Sequence, residues 1–417
     1  VTTPRLTRRA LLHGSLGLFS GTFTFGCADP SAPPPRDATL PDALSPTDVN
    51  LAADVDVATT PSCSPELAGG FREAVAQLLP APTVMLDALV GDGLDGRLYT
   101  DLAALDERTL ALPTERFYVR TRASSLLDTT RPWRVAFNGL FTAPRELSVE
   151  SLLARSVDQG EVLLECSGNG SGGAYGLLGA ARWEGVPLHT LATEAAPPSS
   201  PTRVLVSGFD TYPAPSARST PGASWVFTLD QLRATGAFLA TRMNGAPLTR
   251  DHGAPVRLIV PNWYGCTCIK WVDAVTLVAD DVPATAHMTE FASRTMQVGK
   301  PTLARDFQPA AIDPAALPIR VERWRVGGIV RYRTVGLRWG GAADDALEIQ
   351  YNRDLPWLPV TVCRARATPR TWGAWEHVFR PPAAGRYTLT LRVADRRVQA
   401  RRLDAGFYAR AVDIPAG

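Results

Sequence analysis

Lysine is nearly absent from this chain. Among 417 residues only Lys270 and Lys300 occur, so arginine supplies almost all the positive charge, as in proteins encoded by GC-rich genomes. Histidine is also scarce. His13, His189, His252, His287 and His377 show none of the spacings that a zinc site requires. The absence of a Gly-x-Ser-x-Gly elbow argues against a serine hydrolase. The absence of Cys-x-x-Cys-His argues against covalently attached c-type haem. Apolar runs are too short and broken for a multi-span membrane protein. A charge excess is lacking too: 43 basic residues face 41 acidic ones, which leaves +2 and no field suited to nucleic acid. The balance is nonetheless uneven. From residue 301 onward 19 arginines face 11 acidic residues, whereas the first 300 residues carry 24 basic and 30 acidic ones.

What is present is ordinary for a folded chain: 45% hydrophobic and 20% charged residues, over a length that suits two domains with tails. Residues 1–27 read as an export signal. Arg8 and Arg9 precede a mild apolar stretch through Phe25 that is rich in Gly, Ser and Thr, the pattern of a twin-arginine signal that exports folded proteins. Cys27 follows Gly26 and offers a lipoprotein cleavage point, so a periplasmic and a membrane-tethered protein are both expected forms. Residues 28–65, with Pro33-Pro34-Pro35 inside, have the composition of a flexible tether. Six cysteines in an exported chain invite disulfides, but their sparse spacing is no small-domain framework.

Residues 66–290 read as an α+β catalytic domain. Phe71–Leu79 and Ala81–Leu89 are expected as short helices. Strands are expected at 116–120, 133–137, 162–165, 204–206, 256–260 and 275–278. After residue 300 the pattern changes. Arg386 to Val393 alternates strictly and puts Tyr387, Leu389, Leu391 and Val393 on one face. Leu347, Ile349 and Tyr351 alternate as well, and Val330 to Val335 resembles a further strand. Residues 300–417 are therefore expected to form an immunoglobulin-like β-sandwich with its arginines mainly on the solvent face.

Three segments carry chemistry. Leu163-Leu164-Glu165-Cys166-Ser167-Gly168-Asn169-Gly170 runs from an apolar strand into a cysteine and a glycine-rich turn. The cysteine is either a small buried apolar residue or a thiolate presented at a strand end. Arg250-Asp251-His252-Gly253-Ala254-Pro255-Val256-Arg257 leads on to Lys270-Trp271, and Phe117-Tyr118-Val119-Arg120 is followed by Arg122. Together they place His, Arg and Lys near strand ends, which suits a phosphate-bearing organic cofactor.

In these segments the chain resembles the sulfite oxidase family of molybdenum enzymes. The likeness rests on Cys166 to Asn169, Arg250 to Arg257, Lys270-Trp271, Phe117 to Arg120, and Trp183-Glu184-Gly185-Val186-Pro187-Leu188, and covers roughly residues 70–415. It implies a molybdopterin-bound molybdenum with Cys166 as its thiolate ligand. It places Gly168, Asn169, His252, Arg257 and Lys270 at the cofactor, and Arg120, aided by Arg122, at the substrate. It also implies a small oxyanion or sulfur-containing substrate, oxygen-atom transfer, a separate cytochrome as electron acceptor, and a homodimer formed through the C-terminal module.

The chain departs from the family where sulfite is held. Gly170 and Ser171 stand where two arginines usually follow, Thr121-Arg122 replaces Asn-His, and Gly265-Cys266-Thr267 replaces Gly-Ala-Arg. The family's active-site tyrosine has three candidates, Tyr175, Tyr212 and Tyr264. Two other readings stay open: reduction of an S-oxide such as methionine sulfoxide on the same cofactor, and a non-enzymatic exported binding protein.

Overall fold

The computed structural model describes residues 63–79, 94, 96–105, 110–170, 175–198, 200, 202–210, 212, 222–366 and 368–415. The expected export signal, Cys27, nearly all of the tether, the helix expected at 81–89 and Ser171 lie outside these residues. The described chain is mostly sheet. Its α-helices are short: Val149–Arg155, Leu188–Glu194, Leu229–Thr235, Ala286–Phe291 and Arg401–Asp404. Each of the first four follows the end of a strand or a loop between strands. Leu229–Thr235 shows how the sequence sets their limits. Thr228 and Gln231 form a reciprocal capping box at its start, and Gly236 takes the left-handed conformation at its end.

Two sheets build the region that holds the chemistry-bearing segments. The first orders its strands as Arg257–Ile259, Phe238–Met243, Leu178–Pro187 and Val157–Glu165, all antiparallel, with Ala246–Pro247 added to Phe238–Met243. The second runs Arg145–Ser148, Arg134–Gly139, Val272–Ala279, Thr202–Gly208 and Ser224–Phe227, and only the pairing of Arg134–Gly139 with Val272–Ala279 is parallel. Val162, Leu163 and Leu164 are buried in succession, because this strand is covered on both faces. Its outer edge is met by the C-terminal half: Leu163 N–H donates to the Arg370 carbonyl at 2.7 Å.

The remaining strands form two further antiparallel sheets. One orders Phe71–Gln77, Ala315–Val326, Ile329–Trp339, Gly373–Phe379 and Thr361–Arg364; the other orders Leu358–Pro359, Leu347–Tyr351, Gly385–Val393 and Arg410–Ile414. They face each other through apolar contacts. The Tyr351 ring stacks on Phe379 with centroids 3.9 Å apart, and Tyr351 and Thr334 share a hydroxyl hydrogen bond of 2.9 Å. The alternating residues Tyr387, Leu389, Leu391 and Val393 are all buried, as their pattern requires.

Two expectations need correction. Phe71–Gln77 is a strand of the C-terminal sheet, paired with Ala315–Val326, not a helix of the catalytic domain. Arg, Glu, Ala, Gln and Leu give the segment helical propensity, but Ala74, Ala76 and Leu78 are buried at a period of two, and tertiary pairing decides. Residues 116–120 form no strand; a 3-10 turn at Thr114–Arg116 leads to a single bridge between Val119 and Leu98. The arginines of this half are mainly exposed or half-buried, as expected, but Arg320, Arg333, Arg338 and Arg366 are buried. Glu322 accepts from Arg320 at 2.8 Å and Arg333 at 3.0 Å, and Glu376 pairs with Arg333 at 2.5 Å, so part of the surplus is spent inside the sheet. The tether is also anchored at its end, since Cys63 forms a disulfide with Cys363 across 300 residues.

Burial alone would raise the Glu322 carboxyl, but Arg320 and Arg333 hold its pKa down to about 2. A folded-state pKa below the unfolded one stabilises the fold above the ordinary glutamate range, and that stability is lost as pH falls toward 2. Removing the carboxylate takes a charged partner from two buried guanidinium groups. Glu322→Ala should therefore cost about 3–5 kcal/mol of unfolding free energy. A urea midpoint shift equivalent to less than about 1 kcal/mol would show that the network is dispensable.

Candidate active site

Cys166 stands directly after the strand Val157–Glu165. Its amide donates to the Leu177 carbonyl at 2.9 Å, and its own carbonyl accepts from Asn169 N–H at 2.9 Å. The Gly168 amide points at the Cys166 sulfur, 3.4 Å away. The sulfur is thus presented by a tight turn, with the Gly168 N–H aimed at it. Gly170 closes that turn at φ +86°, where an added Cβ would sit 2.5 Å from the Phe407 ring.

Cys166 lines a cleft between the two sheets. Arg120, Arg257 and Lys270 line the same cleft, with Phe117, Tyr118, Ile269 and Trp271 among its walls. Arg257 begins one sheet's edge strand, and Lys270 precedes the central strand of the other sheet. The cleft therefore opens where strand ends of the two sheets meet. Gly253, at φ +103°, allows this convergence; a Cβ there would lie 2.9 Å from Cβ of Arg257 and 3.2 Å from Cβ of Lys270.

Among the described residues neither Arg257 nor Lys270 hydrogen-bonds a carboxylate, although Asp251 and Asp210 lie near enough to Lys270 to favour its charge. Lys270 donates to two neutral acceptors, the carbonyls of Thr121 at 2.7 Å and Asp251. Burial and the neighbouring Arg257 push its pKa down to about 7. Arg257 donates from Nη1 to the His252 carbonyl at 2.9 Å, lies over the Trp183 ring, and keeps a buried Nε without a hydrogen-bond partner. Holding two like charges together over an orphaned N–H is costly unless an anion arrives. The site has the donor set of a phosphate-bearing group beside a soft thiol. These residues fit molybdopterin.

Other expected residues sit around the cleft in different roles. His252 is buried and its pKa is driven down to about 3, chiefly by burial and then by Lys270. Its Nε2 lies 3.1 Å from the Phe117 carbonyl, which can only accept, so Nε2 carries the proton and Nδ1 accepts from the Thr249 hydroxyl at 2.7 Å. His252 is therefore a neutral brace joining two of the chemistry-bearing segments. Asn169 is likewise committed: it donates to Glu165 at 3.1 Å and accepts from Leu177 N–H at 3.1 Å. Gly168 belongs to the turn and Arg122 packs against Gly96; neither they nor Asn169 are among the cleft-lining residues.

The cleft also holds residues that the sequence did not single out. Tyr118 is the tyrosine in its wall, and burial raises its hydroxyl pKa well above the usual value. The three earlier candidates point elsewhere. Tyr175 donates to the Phe407 carbonyl, Tyr212 donates to the Arg122 carbonyl, and Tyr264 is buried beneath Arg402. Tyr118 lay within the quoted Phe-Tyr-Val-Arg motif, and that was the available signal. Cys266, Asp210, His287 and Glu290 also line the cleft. They come from a loop, the 3-10 turn Gly265–Thr267 and the helix Ala286–Phe291, which only the tertiary fold brings to Cys166.

Comparison with known proteins agrees with this geometry. Residues 123–286 match the model of the oxidoreductase molybdopterin binding domain, a span that includes Cys166, His252, Arg257 and Lys270. This span is an oxidoreductase molybdopterin-binding domain, and it is similar to that of sulfite oxidases. The chain is 25% identical over 297 residues to sulfite oxidase of Gallus gallus, covering 65% of this chain and 63% of that one. It is 30% identical over 167 residues to an NADPH nitrate reductase of Beauveria bassiana, covering 37% and 18%. With mitochondrial sulfite oxidase of Mus musculus it shares 26% over 261 residues, 57% and 47% of the two chains. It thus spans less than two thirds of these curated relatives. The fold is similar to that of the sulfane dehydrogenase SoxCD from Paracoccus pantotrophus, with a TM-score of 0.57 at 17% identity over 79% of this chain and 89% of that one.

In the molybdopterin domain without its cofactor, Lys270 has a signature of its own. Its folded pKa lies below that of an unfolded lysine, so the unfolded chain binds the extra proton between pH 7 and 10.5. Stability should therefore rise with pH across that window. Lys270→Met should flatten the rise in urea midpoint and should lower pterin occupancy in protein made with cofactor. A slope unchanged by the substitution would place the ammonium in solvent.

Proposed function

We propose that this chain is an exported molybdenum oxidoreductase that transfers an oxygen atom to or from a small sulfur substrate and passes electrons to a separate cytochrome. The observation that carries the reading is the Cys166 thiol facing a cleft lined by Arg120, Arg257 and Lys270. When bound, the cofactor supplies the two-electron redox chemistry. The chain's own residues hold and orient. Cys166 would hold the metal as a soft sulfur ligand. Lys270 and Arg257 would hold the anionic end of the pterin. Arg120, held by the Leu94 carbonyl at 3.1 Å, orients the substrate. The Tyr118 hydroxyl stays protonated and offers a donor within the cleft, and Phe117, Ile269 and Trp271 exclude water from the wall behind it.

Several features support the wider reading. The Cys63–Cys363 disulfide suits an oxidising compartment and hence export, with Cys27 as the point of lipid attachment in a tethered form. The two facing C-terminal sheets suit an immunoglobulin-like module that joins two copies. Relatives titled sulfite oxidase and sulfane dehydrogenase favour a sulfur substrate.

Oxidation is favoured over S-oxide reduction because the C-terminal module is present; the reductase branch generally lacks it. Sulfite itself should bind weakly. Gly170 packs against Phe407 and supplies no charge, and each missing charge-assisted contact costs about 1.5–3 kcal/mol, roughly ten- to a hundredfold in affinity. Steady-state assays separate the directions. The loaded enzyme should reduce ferric cytochrome c with sulfite, at a KM well above the micromolar range. Turnover only with sulfoxides and a reduced dye would reverse the assignment, and rapid sulfite oxidation at micromolar substrate would show that another residue replaces the lost arginines.

A further inference from the structure

We propose that Arg402, from the C-terminal module, is the positioning residue of the Cys166 turn. The idea rests on the reading of Cys166 as the metal ligand.

Arg402 sits in the short helix Arg401–Asp404, far from Cys166 in sequence. Its Nη2 donates to the Ser167 carbonyl at 2.8 Å, across 235 residues. Its Nη1 faces the Glu165 carboxylate at 3.9 Å. One planar cation therefore engages the residues immediately before and after the cysteine. Its plane is fixed in turn, because the guanidinium lies over the rings of Tyr264 at 5.2 Å and Phe407 at 5.5 Å. The same segment touches the turn again at its far end. The Phe407 ring fills the space beside Gly170, and the Phe407 carbonyl accepts from the Tyr175 hydroxyl at 2.9 Å.

Glu165 is locked as well. It accepts from Trp339 Nε1 at 2.8 Å and from Asn169 at 3.1 Å, and only 1% of its surface is exposed. The direction of the Cys166 sulfur depends on the turn's own bonds, Gly168 N–H to sulfur and Asn169 N–H to the Cys166 carbonyl. Arg402 holds both flanks of that turn without being a cleft-lining residue, so it acts through the turn and not on substrate. A lysine could keep the charge but not the fork and the stacking. The C-terminal module would then have a task at the active centre besides any contact between copies.

The test compares Arg402→Gln, Arg402→Lys and Cys166→Ser in the full chain. In cofactor-free protein, Arg402→Gln should speed amide hydrogen exchange at residues 167–169 by about tenfold or more, the loss of one charge-assisted hydrogen bond. Exchange in Leu178–Pro187 should stay unchanged. In loaded protein, the molybdenum EPR signal should shift and kcat should fall by about tenfold while KM holds. Arg402→Lys should lie between wild type and Arg402→Gln in each readout. Unchanged exchange together with an unchanged EPR signal would overturn the proposal, as would a change in KM alone, which would put Arg402 on substrate. If Arg402→Gln does not fold, the same readouts on Arg402→Lys decide. Cys166→Ser keeping the wild-type EPR signal would overturn the ligand reading and this proposal with it; altered exchange in Arg402→Gln beside that result would trace the failure to the ligand and not to the clamp.

Discussion

The site depends on one tight turn, Cys166 to Gly170, whose backbone is held from two directions. On one side the apolar strand Val157–Glu165 carries it to the mouth of the cleft. On the other the buried Glu165 carboxylate ties it to Trp339 and Asn169, and Arg402 closes over Ser167. Burial raises the pKa of Glu165, with Arg402, Trp339 and Asn169 pulling it back toward the charged form. A thiol meant to ligate a metal needs a fixed direction, because ligand geometry tunes the metal. Here that direction is set by groups from both halves of the chain.

The opposite wall is built on frustrated charge. Arg257 and Lys270 converge because Gly253 leaves no Cβ between them, and their hydrogen bonds go to neutral carbonyls. Trp271, next to Lys270, adopts φ +53°, a strained conformation for a bulky residue costing about 1–2 kcal/mol. Its indole N–H donates to the Arg250 carbonyl at 2.8 Å and helps hold that conformation. An anion entering this wall relieves repulsion that the empty fold must carry. Neutral His252, bonded to Thr249 and Phe117, holds the two motif segments at the correct spacing without adding to that charge.

Much of this was legible in the residues. The resemblance carried by the motifs placed Cys166, Arg120, Arg257 and Lys270 around one site, and the alternation of Tyr387, Leu389, Leu391 and Val393 marked a half-buried strand. Other features were hidden for identifiable reasons. The segment Phe71–Gln77 has helical composition, yet pairs with a strand more than two hundred residues away. The burial of Arg333 was hidden because Glu322 and Glu376, which neutralise it inside the sheet, are distant from it in sequence. Tyr118 stood inside a recognised motif, but which tyrosine reaches the cleft depends on a turn that no periodicity reveals. Arg402 was one arginine among nineteen until the fold placed it on the Cys166 turn.

The most direct test is X-ray absorption at the molybdenum K-edge on protein produced in a cofactor-competent host, comparing wild type with Cys166→Ser. The wild-type spectrum should contain two dithiolene sulfurs and one further sulfur at the metal, and the variant should lose that third sulfur while keeping its pterin. Equal sulfur coordination in the two proteins would contradict the assignment of Cys166, and protein that takes up neither molybdenum nor pterin would contradict the site as a whole.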